Sequence, residues 1–246
     1  MSTKFTYFGG MCVLIERSDG YKILCDPYFV KNVQTNVTPE EMKDVNLVLV
    51  THNASDHYGD VEAVMACSNA KVMMCSDNVR KIKRNMDLPK ERIVSTVYGD
   101  CRQFGETTVR TMLAFHTSKH DEEGVLTYGP PVGYLIEVEP GVVYYHTGDT
   151  ALSENFRTIR ELYHPNIMCV GISGIRPGAS REMTEREAAM AVAWCGAEVV
   201  IPTHYVTETD SLKVFKNHMA SFAPHVKIME GFDQSFLLKP LEVDKV

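Results

Sequence analysis

Four histidines stand at, or shortly after, the ends of apolar runs in this chain of 246 residues. Uninterrupted runs such as residues 47–50 are typical of strands buried on both faces of a sheet. The histidines in question are His52, His116, His146 and His204. One such histidine alone is ordinarily a hydrogen-bonded core residue. Because strand ends at one edge of a sheet bring distant segments together, four in the same position favour a shared site.

The order of predicted elements repeats in the two halves of the chain. Each half has an antiparallel meander, a buried strand that ends in a polar loop, and a helix. The clearest helix start is Thr184, which forms a capping-box pattern with Glu187, and Gly196 ends that helix. Helices are predicted at 61–66, 77–85, 153–162, 184–195 and 212–218. We therefore predict an α/β fold in which two sheets pack face to face with helices outside, as one domain over residues 1–246.

Composition excludes several classes of protein. Hydrophobic residues make up 44% and charged residues 23%, which is typical of a globular domain. With 25 Lys and Arg against 32 Asp and Glu, the net charge of −7 offers no attraction to nucleic acid or anionic lipid. No apolar stretch approaches the roughly 20 residues of a membrane span, and no cleavable leader is evident. We expect a cytoplasmic protein whose seven dispersed cysteines are buried, reduced thiols.

The densest group of polar donors lies in the loop at residues 51–57. His52, Asp56 and His57 place two imidazoles and a carboxylate within six residues. Such a set suits a divalent ion of the zinc, manganese or iron type, although a solvated polar loop would give the same pattern. Asp149, between Gly148 and Thr150, adds a carboxylate after another predicted strand. These residues are candidate metal ligands.

Taken in order, these motifs resemble a known family. His52, Asp56 and His57 are followed by His116, by Asp149 in Gly-Asp-Thr, and by His204 in Pro-Thr-His-Tyr. Further matching segments are residues 7–9, 24–27, 131–134 and 145–150. Over essentially its whole length the chain resembles the metallo-β-lactamase superfamily. Within it, the chain is similar to the branch of predicted metal-dependent hydrolases that includes L-ascorbate-6-phosphate lactonase.

The resemblance implies a four-layer αββα sandwich with a metal centre at the open edge of its sheets. The first metal position would be served by His52 and His116, the second by Asp56, His57 and His204, with Asp149 bridging both. The ions would be one or two divalent transition metals, namely zinc, manganese, iron or nickel.

Two positions depart from the family pattern. The family signature is His-x-His-x-Asp-His, and Ala54 stands where its second histidine belongs. Gly10 stands where many relatives carry histidine after glycine. Because a methyl group donates no electron pair, the first metal position keeps two imidazoles and the bridging carboxylate. Ala54 is compatible with a hydrolase whose centre is altered, with an introduced inactivating substitution, and with a metal-poor relative.

The function expected from the resemblance is hydrolysis of a small molecule by a metal-bound hydroxide. Candidate substrates are a lactone, a phosphorylated sugar derivative or a phosphodiester. Asp56 is the catalytic candidate, either as ligand or as general base. The alternatives are a ligand-sensing protein that binds metal weakly or not at all, and a nuclease of the same superfamily, which the net charge disfavours.

Residues outside the ligand set are expected to contact substrate or to support the ligands. Candidate substrate contacts are His120, Arg176, Arg181 and Tyr205, because they follow strand ends near the site. His146 is expected to hold a ligating carboxylate in place. The expected partner is a small-molecule substrate, with no nucleic acid and no membrane, and assembly into a homo-oligomer is compatible with the sequence.

Overall fold

The computed structural model describes residues 2–122, 124–172 and 182–239. Within these residues the strands are β1 (Thr3–Gly9), β2 (Cys12–Glu16), β3 (Lys22–Cys25), β4 (Leu47–Leu49), β5 (Lys71–Cys75), β6 (Ile93–Thr96), β7 (Cys101–Phe104), β8 (Thr107–Leu113), β9 (Ser118–Glu122), β10 (Val125–Gly129), β11 (Val132–Glu139), β12 (Val142–His146), β13 (Ile167–Gly171), β14 (Val199–Thr203), β15 (Lys227–Ile228) and β16 (Gln234–Leu238). The helices are α1 (Val61–Cys67), α2 (Ser76–Asn85), α3 (Asn155–Tyr163), α4 (Glu185–Cys195) and α5 (Ser211–Phe222).

Two large sheets form the inner layers. The first has the strand order β16-β1-β2-β3-β4-β5-β6, and the second has the order β15-β14-β13-β12-β11-β8-β7. In each sheet an antiparallel part leads into parallel strands, from β3 to β6 in one and from β12 to β15 in the other. The prediction of two similar sheet-forming halves is therefore confirmed.

The core lies between the sheets and beneath the helices. One cluster of buried side chains lies between the sheets, where Tyr7 of the first sheet and Tyr134 of the second are fully buried. The same cluster extends under α3, α4 and α5. A second cluster packs α1 and α2 on the outer face of the first sheet. This arrangement is the predicted sandwich with helices outside. No helix among the described residues is long and apolar enough to cross a membrane.

Local signals place the helices well and some strands poorly. Thr184 caps α4 by accepting from the Glu187 backbone N–H, and Gly196 ends the helix at φ 72°. Helix α5 is longer than predicted, at Ser211–Phe222. The hairpin β9–β10 and the short strands β7 and β15 were not predicted. The segment Ser118–Glu122 is polar throughout, so it lacks the apolar alternation that identifies a strand.

The seven cysteines are free thiols in the structure, and they are not all buried. Cys101 is exposed and Cys67 is half-buried. Cys101 opens β7, which forms the edge of the second sheet and has one neighbour only. The prediction of uniformly buried cysteines was therefore wrong at these two positions.

Candidate metal centre

Asp149 lies at the centre of the candidate site. It follows β12, while His52 follows β4, His116 follows β8 and His204 follows β14. The Nε2 atoms of four histidines surround the Asp149 Oδ2, at 3.3 Å for His57, 3.7 Å for His204, 3.8 Å for His116 and 3.9 Å for His52. The strand ends of both sheets thus bring together side chains from opposite ends of the sequence.

Asp56 completes one side of this cluster. Its Oδ2 lies 3.1 Å from the Nε2 of His204. His204 has a left-handed backbone conformation, with φ 58°, and its N–H donates to the Gly10 carbonyl over 2.8 Å. The backbone after β14 is therefore turned so that the His204 ring points back at Asp56 and Asp149.

The donor atoms fit a divalent metal. Bonds from zinc to imidazole nitrogen or carboxylate oxygen are about 2.0–2.2 Å long, so two donors on one ion lie at most about 4.4 Å apart. The distances around Asp149 and His204 all fall below that limit. In addition, among the described residues, His57 Nε2 and Asp149 Oδ1 are buried and have no partner in hydrogen-bond geometry, although His57 Nε2 lies 3.3 Å from the other oxygen of Asp149. Buried polar atoms are rarely left unpaired, which is consistent with a place for a cation.

The donors fall into two groups of three residues. One group that could hold an ion consists of His52, His116 and Asp149, and another of Asp56, His57 and His204. Ala54, half-buried in the loop between the two groups, adds no donor. Its carbonyl accepts from the N–H of Tyr58 over 2.9 Å, so the loop keeps a compact turn at this position. Ala54 also lines a cavity of about 570 Å³ with Tyr28, Tyr58 and Lys81 among its walls.

The most important residue that the sequence reasoning left without a role is Asp26. This carboxylate is fully buried and follows β3. Its Oδ1 accepts the Thr51 N–H, and its Oδ2 lies 2.9 Å from His57 Nδ1 and 3.0 Å from His146 Nε2. Asp26 thus holds the far side of the His57 ring, leaving Nε2 to face Asp149. Its place directly after a buried strand, like that of the histidines, was the signal that could have identified it.

His146 supports the site through Asp26. Its Nε2 contacts Asp26, and its Nδ1 lies 2.9 Å from the Tyr144 hydroxyl and 3.2 Å from the Cys169 sulfur. Both ring nitrogens are therefore engaged away from Asp149. His146 was expected to support a metal-ligating carboxylate. In the structure it contacts Asp26, the carboxylate that orients His57.

Burial and charge set the protonation of the site. Burial lowers the pKa of His52 to about 3, and the neighbouring His57 adds to this effect. Burial also acts to lower the pKa of His204, but the carboxylates of Asp149 and Asp56 outweigh it and raise that pKa to about 9. Burial acts to raise the pKa of Asp56, yet the hydrogen bond from His204 and the charge of His57 bring it to about 2. The carboxylates are therefore charged at neutral pH, as metal ligation requires.

His57 and Asp149 perturb each other strongly. Burial disfavours the charged imidazole, but the adjacent Asp149 and Asp26 carboxylates hold the pKa of His57 well above its usual value. Burial acts to raise the pKa of Asp149, and the surrounding imidazoles, His204 first, hold it well below its usual value. The raised pKa values of His57 and His204 favour protons on these two rings, which offset part of the buried carboxylate charge when no cation does so.

The expected substrate contacts are less well placed. Arg176 and Arg181 lie outside the described residues. His120 lies on β9, opposite Thr127 of β10. Tyr205 is only 6% exposed, and its ring packs against Tyr7 and Phe232, so it contributes to the core.

Glu182 is a second carboxylate that sequence reasoning missed. It is 6% exposed, and its Oε2 lies 3.6 Å from the Nδ1 of His204. With Asp149 and His204 it forms a further group of donor atoms within 4.8 Å of one another. No motif in the sequence marks it.

Comparison with known proteins identifies the family of the chain. The model of the family described as "Beta-lactamase superfamily domain" matches residues 4–204. A "UPF0173 metal-dependent hydrolase" of Caldivirga maquilingensis is 31% identical over 91% of this chain and 90% of its own length. The "UPF0173 metal-dependent hydrolase YtkL" of Bacillus subtilis is 32% identical over 83% of this chain and 86% of its own length.

A solved structure supports the fold. Igni18, described as a novel metallo hydrolase from Ignicoccus hospitalis, superposes with a TM-score of 0.80 at 24% identity, over 97% of this chain and 99% of that one. The predicted superfamily is confirmed, while the finer similarity to L-ascorbate-6-phosphate lactonase stays a prediction. The chain belongs to the metallo-β-lactamase superfamily and, within it, to the UPF0173 metal-dependent hydrolases.

Proposed function

We propose that this protein is a metal-dependent hydrolase of a small molecule. The observation that supports this most directly is the convergence of four imidazole Nε2 atoms on the Asp149 Oδ2, within 3.9 Å or less. Relatives that are at least 30% identical carry the name metal-dependent hydrolase. A buried carboxylate with four imidazoles is costly to leave without a compensating ion, so a structural role alone accounts poorly for it.

The second metal position is proposed to bind its ion more tightly than the first. Asp56, His57 and His204 supply three donors there. Asp149, whose Oδ2 lies 3.3 Å from His57 and 3.7 Å from His204, would be shared with the first position, where His52 and His116 are the other donors. Asp56 is proposed as a ligand, because its Oδ2 faces the same His204 nitrogen that faces Asp149. We infer one tightly held ion, with a weaker first position as the consequence of Ala54.

When bound, the divalent ion lowers the pKa of water toward about 7 and polarises the bond under attack. The residues of the chain hold and orient the donors. Asp26 accepts the Nδ1–H of His57, which leaves the Nε2 lone pair of that ring directed at the centre. His146 contacts the same Asp26 oxygen through its Nε2. The site draws on His52 from the first half and His204 from the second, which supports one domain over the whole chain.

The substrate is proposed to belong to one of three chemical classes. A lactone, a phosphorylated sugar derivative and a phosphodiester are the three classes to be compared. A nucleic-acid substrate is disfavoured, because the net charge of −7 repels phosphate backbones. A cytoplasmic location is also proposed, which the seven free thiols support.

The test begins with chelator-treated protein reloaded with zinc, manganese or iron(II). Metal content is measured by elemental analysis, and hydrolysis is measured on one model compound of each substrate class. We expect at least one bound ion per chain and turnover of one class. Asp149→Ala should lose both metal and turnover, whereas Asp87→Ala, at an exposed position, should keep both. A wild-type protein that takes up no divalent metal, and gains no activity from any, would refute the proposal and favour the ligand-sensing alternative.

A further inference from the structure

The Glu182 carboxylate approaches the Nδ1 atom of His204. Glu182 lies two residues before Thr184, the N-cap of α4. Its carboxylate is buried, and its Oε2 lies 3.6 Å from Nδ1 of the imidazole. The other ring nitrogen, Nε2, is the one that faces Asp56 and Asp149. Glu182 therefore lies beside the Nδ1 edge of the ring, within 4.8 Å of an oxygen of Asp149.

His204 has an unusual need for external support. Its φ of 58° is a left-handed conformation that a residue with a Cβ adopts only at a cost in free energy. Such conformations persist where the surroundings hold them in place. The backbone is held by the hydrogen bond to Gly10, and the front of the ring by Asp56. The rear of the ring has Glu182 beside it.

The same site already contains a carboxylate in this relation to a histidine. Asp26 contacts the Nδ1 of His57 over 2.9 Å while the Nε2 of that ring faces Asp149. A metal-ligating histidine commonly donates its second ring N–H to a carboxylate, which fixes the tautomer and the orientation of the ring. Glu182 and His204 repeat this arrangement with a longer contact, which a shift of about 0.6 Å would bring to hydrogen-bond length.

We propose that Glu182 is the positioning residue of His204, accepting its Nδ1–H and thereby keeping the Nε2 lone pair directed at the divalent ion. This inference rests on the proposed function. The carboxylate is assigned to the Nδ1 atom of His204 because its contact with that ring is made there. Its place within 4.8 Å of Asp149 makes direct ligation of the ion the competing role, which the experiment distinguishes. A centre that lacks a donor at Ala54 depends more heavily on the alignment of the donors that remain.

The experiment compares Glu182→Gln and Glu182→Asp with the wild type and with Glu185→Gln. Glu185 is a half-buried acid in the first turn of α4, so its variant removes the same charge from the same segment. The dissociation constant for Zn²⁺ alone is measured by competition with a chromophoric chelator. The His204 tautomer in the zinc-loaded protein is measured by long-range ¹H–¹⁵N correlation, with the resonance assigned by its loss in His204→Gln.

We expect Glu182→Gln to weaken zinc binding about 10- to 100-fold, the usual effect of removing such a partner. In Glu182→Gln the His204 Nδ1–H resonance should shift. Glu182→Asp should recover much of the zinc affinity, and Glu185→Gln should bind zinc as tightly as the wild type. Equal affinity in Glu182→Gln and Glu185→Gln, with an unchanged resonance, would overturn the inference. A changed coordination number in the Co²⁺ absorption spectrum of Glu182→Gln would overturn it as well, because Glu182 would then be a ligand. In both cases wild-type metal binding leaves the proposed function standing, whereas a wild type that binds no zinc overturns the proposed function and this inference with it.

Discussion

Replacing Asp26 by asparagine tests how the site is held in place. The side chain is fully buried and nearly isosteric with its replacement, so packing changes little. The Oδ2 of Asp26 contacts the His57 and His146 rings over 2.9 and 3.0 Å and also accepts the Thr51 hydroxyl over 2.8 Å. An asparagine that keeps its oxygen toward the Thr51 N–H must direct its NH₂ group at these partners.

The cost follows from the two imidazole contacts. A hydrogen bond to a charged group contributes about 1.5–3 kcal/mol, so losing two lowers the free energy of unfolding by about 3–6 kcal/mol. The His57 ring can accept from the new NH₂ group only if its proton moves to Nε2, the atom that faces Asp149. That tautomer has no lone pair for a metal, so zinc affinity should fall about 10- to 100-fold.

Stability is measured by urea unfolding of the chelator-treated protein, and affinity by chelator competition. Asp87→Asn, at an exposed position, is the control for the change of charge. If Asp26→Asn unfolds within about 0.5 kcal/mol of that control, the range expected for surface changes, and binds zinc as tightly, the reasoning about Asp26 is wrong.

Three further predictions concern metal number, pH and backbone strain. Ala54→His should raise the bound metal toward two ions per chain by elemental analysis, and Ser55→His, at an exposed neighbour, should not; an unchanged ratio would mean that position 54 does not face the first metal position. Because the pKa of His204 is raised to about 9, a proton competes with the metal below pH 9. Zinc affinity measured by titration should therefore fall by at least about tenfold per pH unit from 9 to 7, since the raised pKa of His57 adds a second competing proton; a flat profile would contradict the assignment of these histidines as ligands. Gly148→Ala should lower the free energy of unfolding by about 2–4 kcal/mol, because a Cβ at φ +59° would lie 2.8 Å from the Val132 carbonyl; Gly20→Ala, with φ +88° and open space, should lose only the conformational part, and equal losses would rule out crowding.

Some elements of the protein could be predicted because their signals are local. The capping box of Thr184 and Glu187 and the terminating Gly196 define α4 from neighbours in sequence. The run at residues 47–50 identifies a buried strand in the same way. By contrast, β9 has no such signal, since its residues are polar. Among the described strands, β9 and β10 pair only with each other. The pairing of β16 with β1 joins Leu238 to Thr3, a contact that no pattern within either segment encodes.

For the site, the sequence by itself determined which donors are present and that strand ends would bring them near one another. It also showed the loss of a donor at Ala54. Only the tertiary structure decided that four imidazoles surround one oxygen of Asp149. It also placed Asp26 and Glu182 beside the Nδ1 atoms of two of those rings, His57 and His204. The reason is physical: residue type and strand position are local properties, whereas the contact of Asp26 with His146 spans 120 residues and exists only once both sheets have packed.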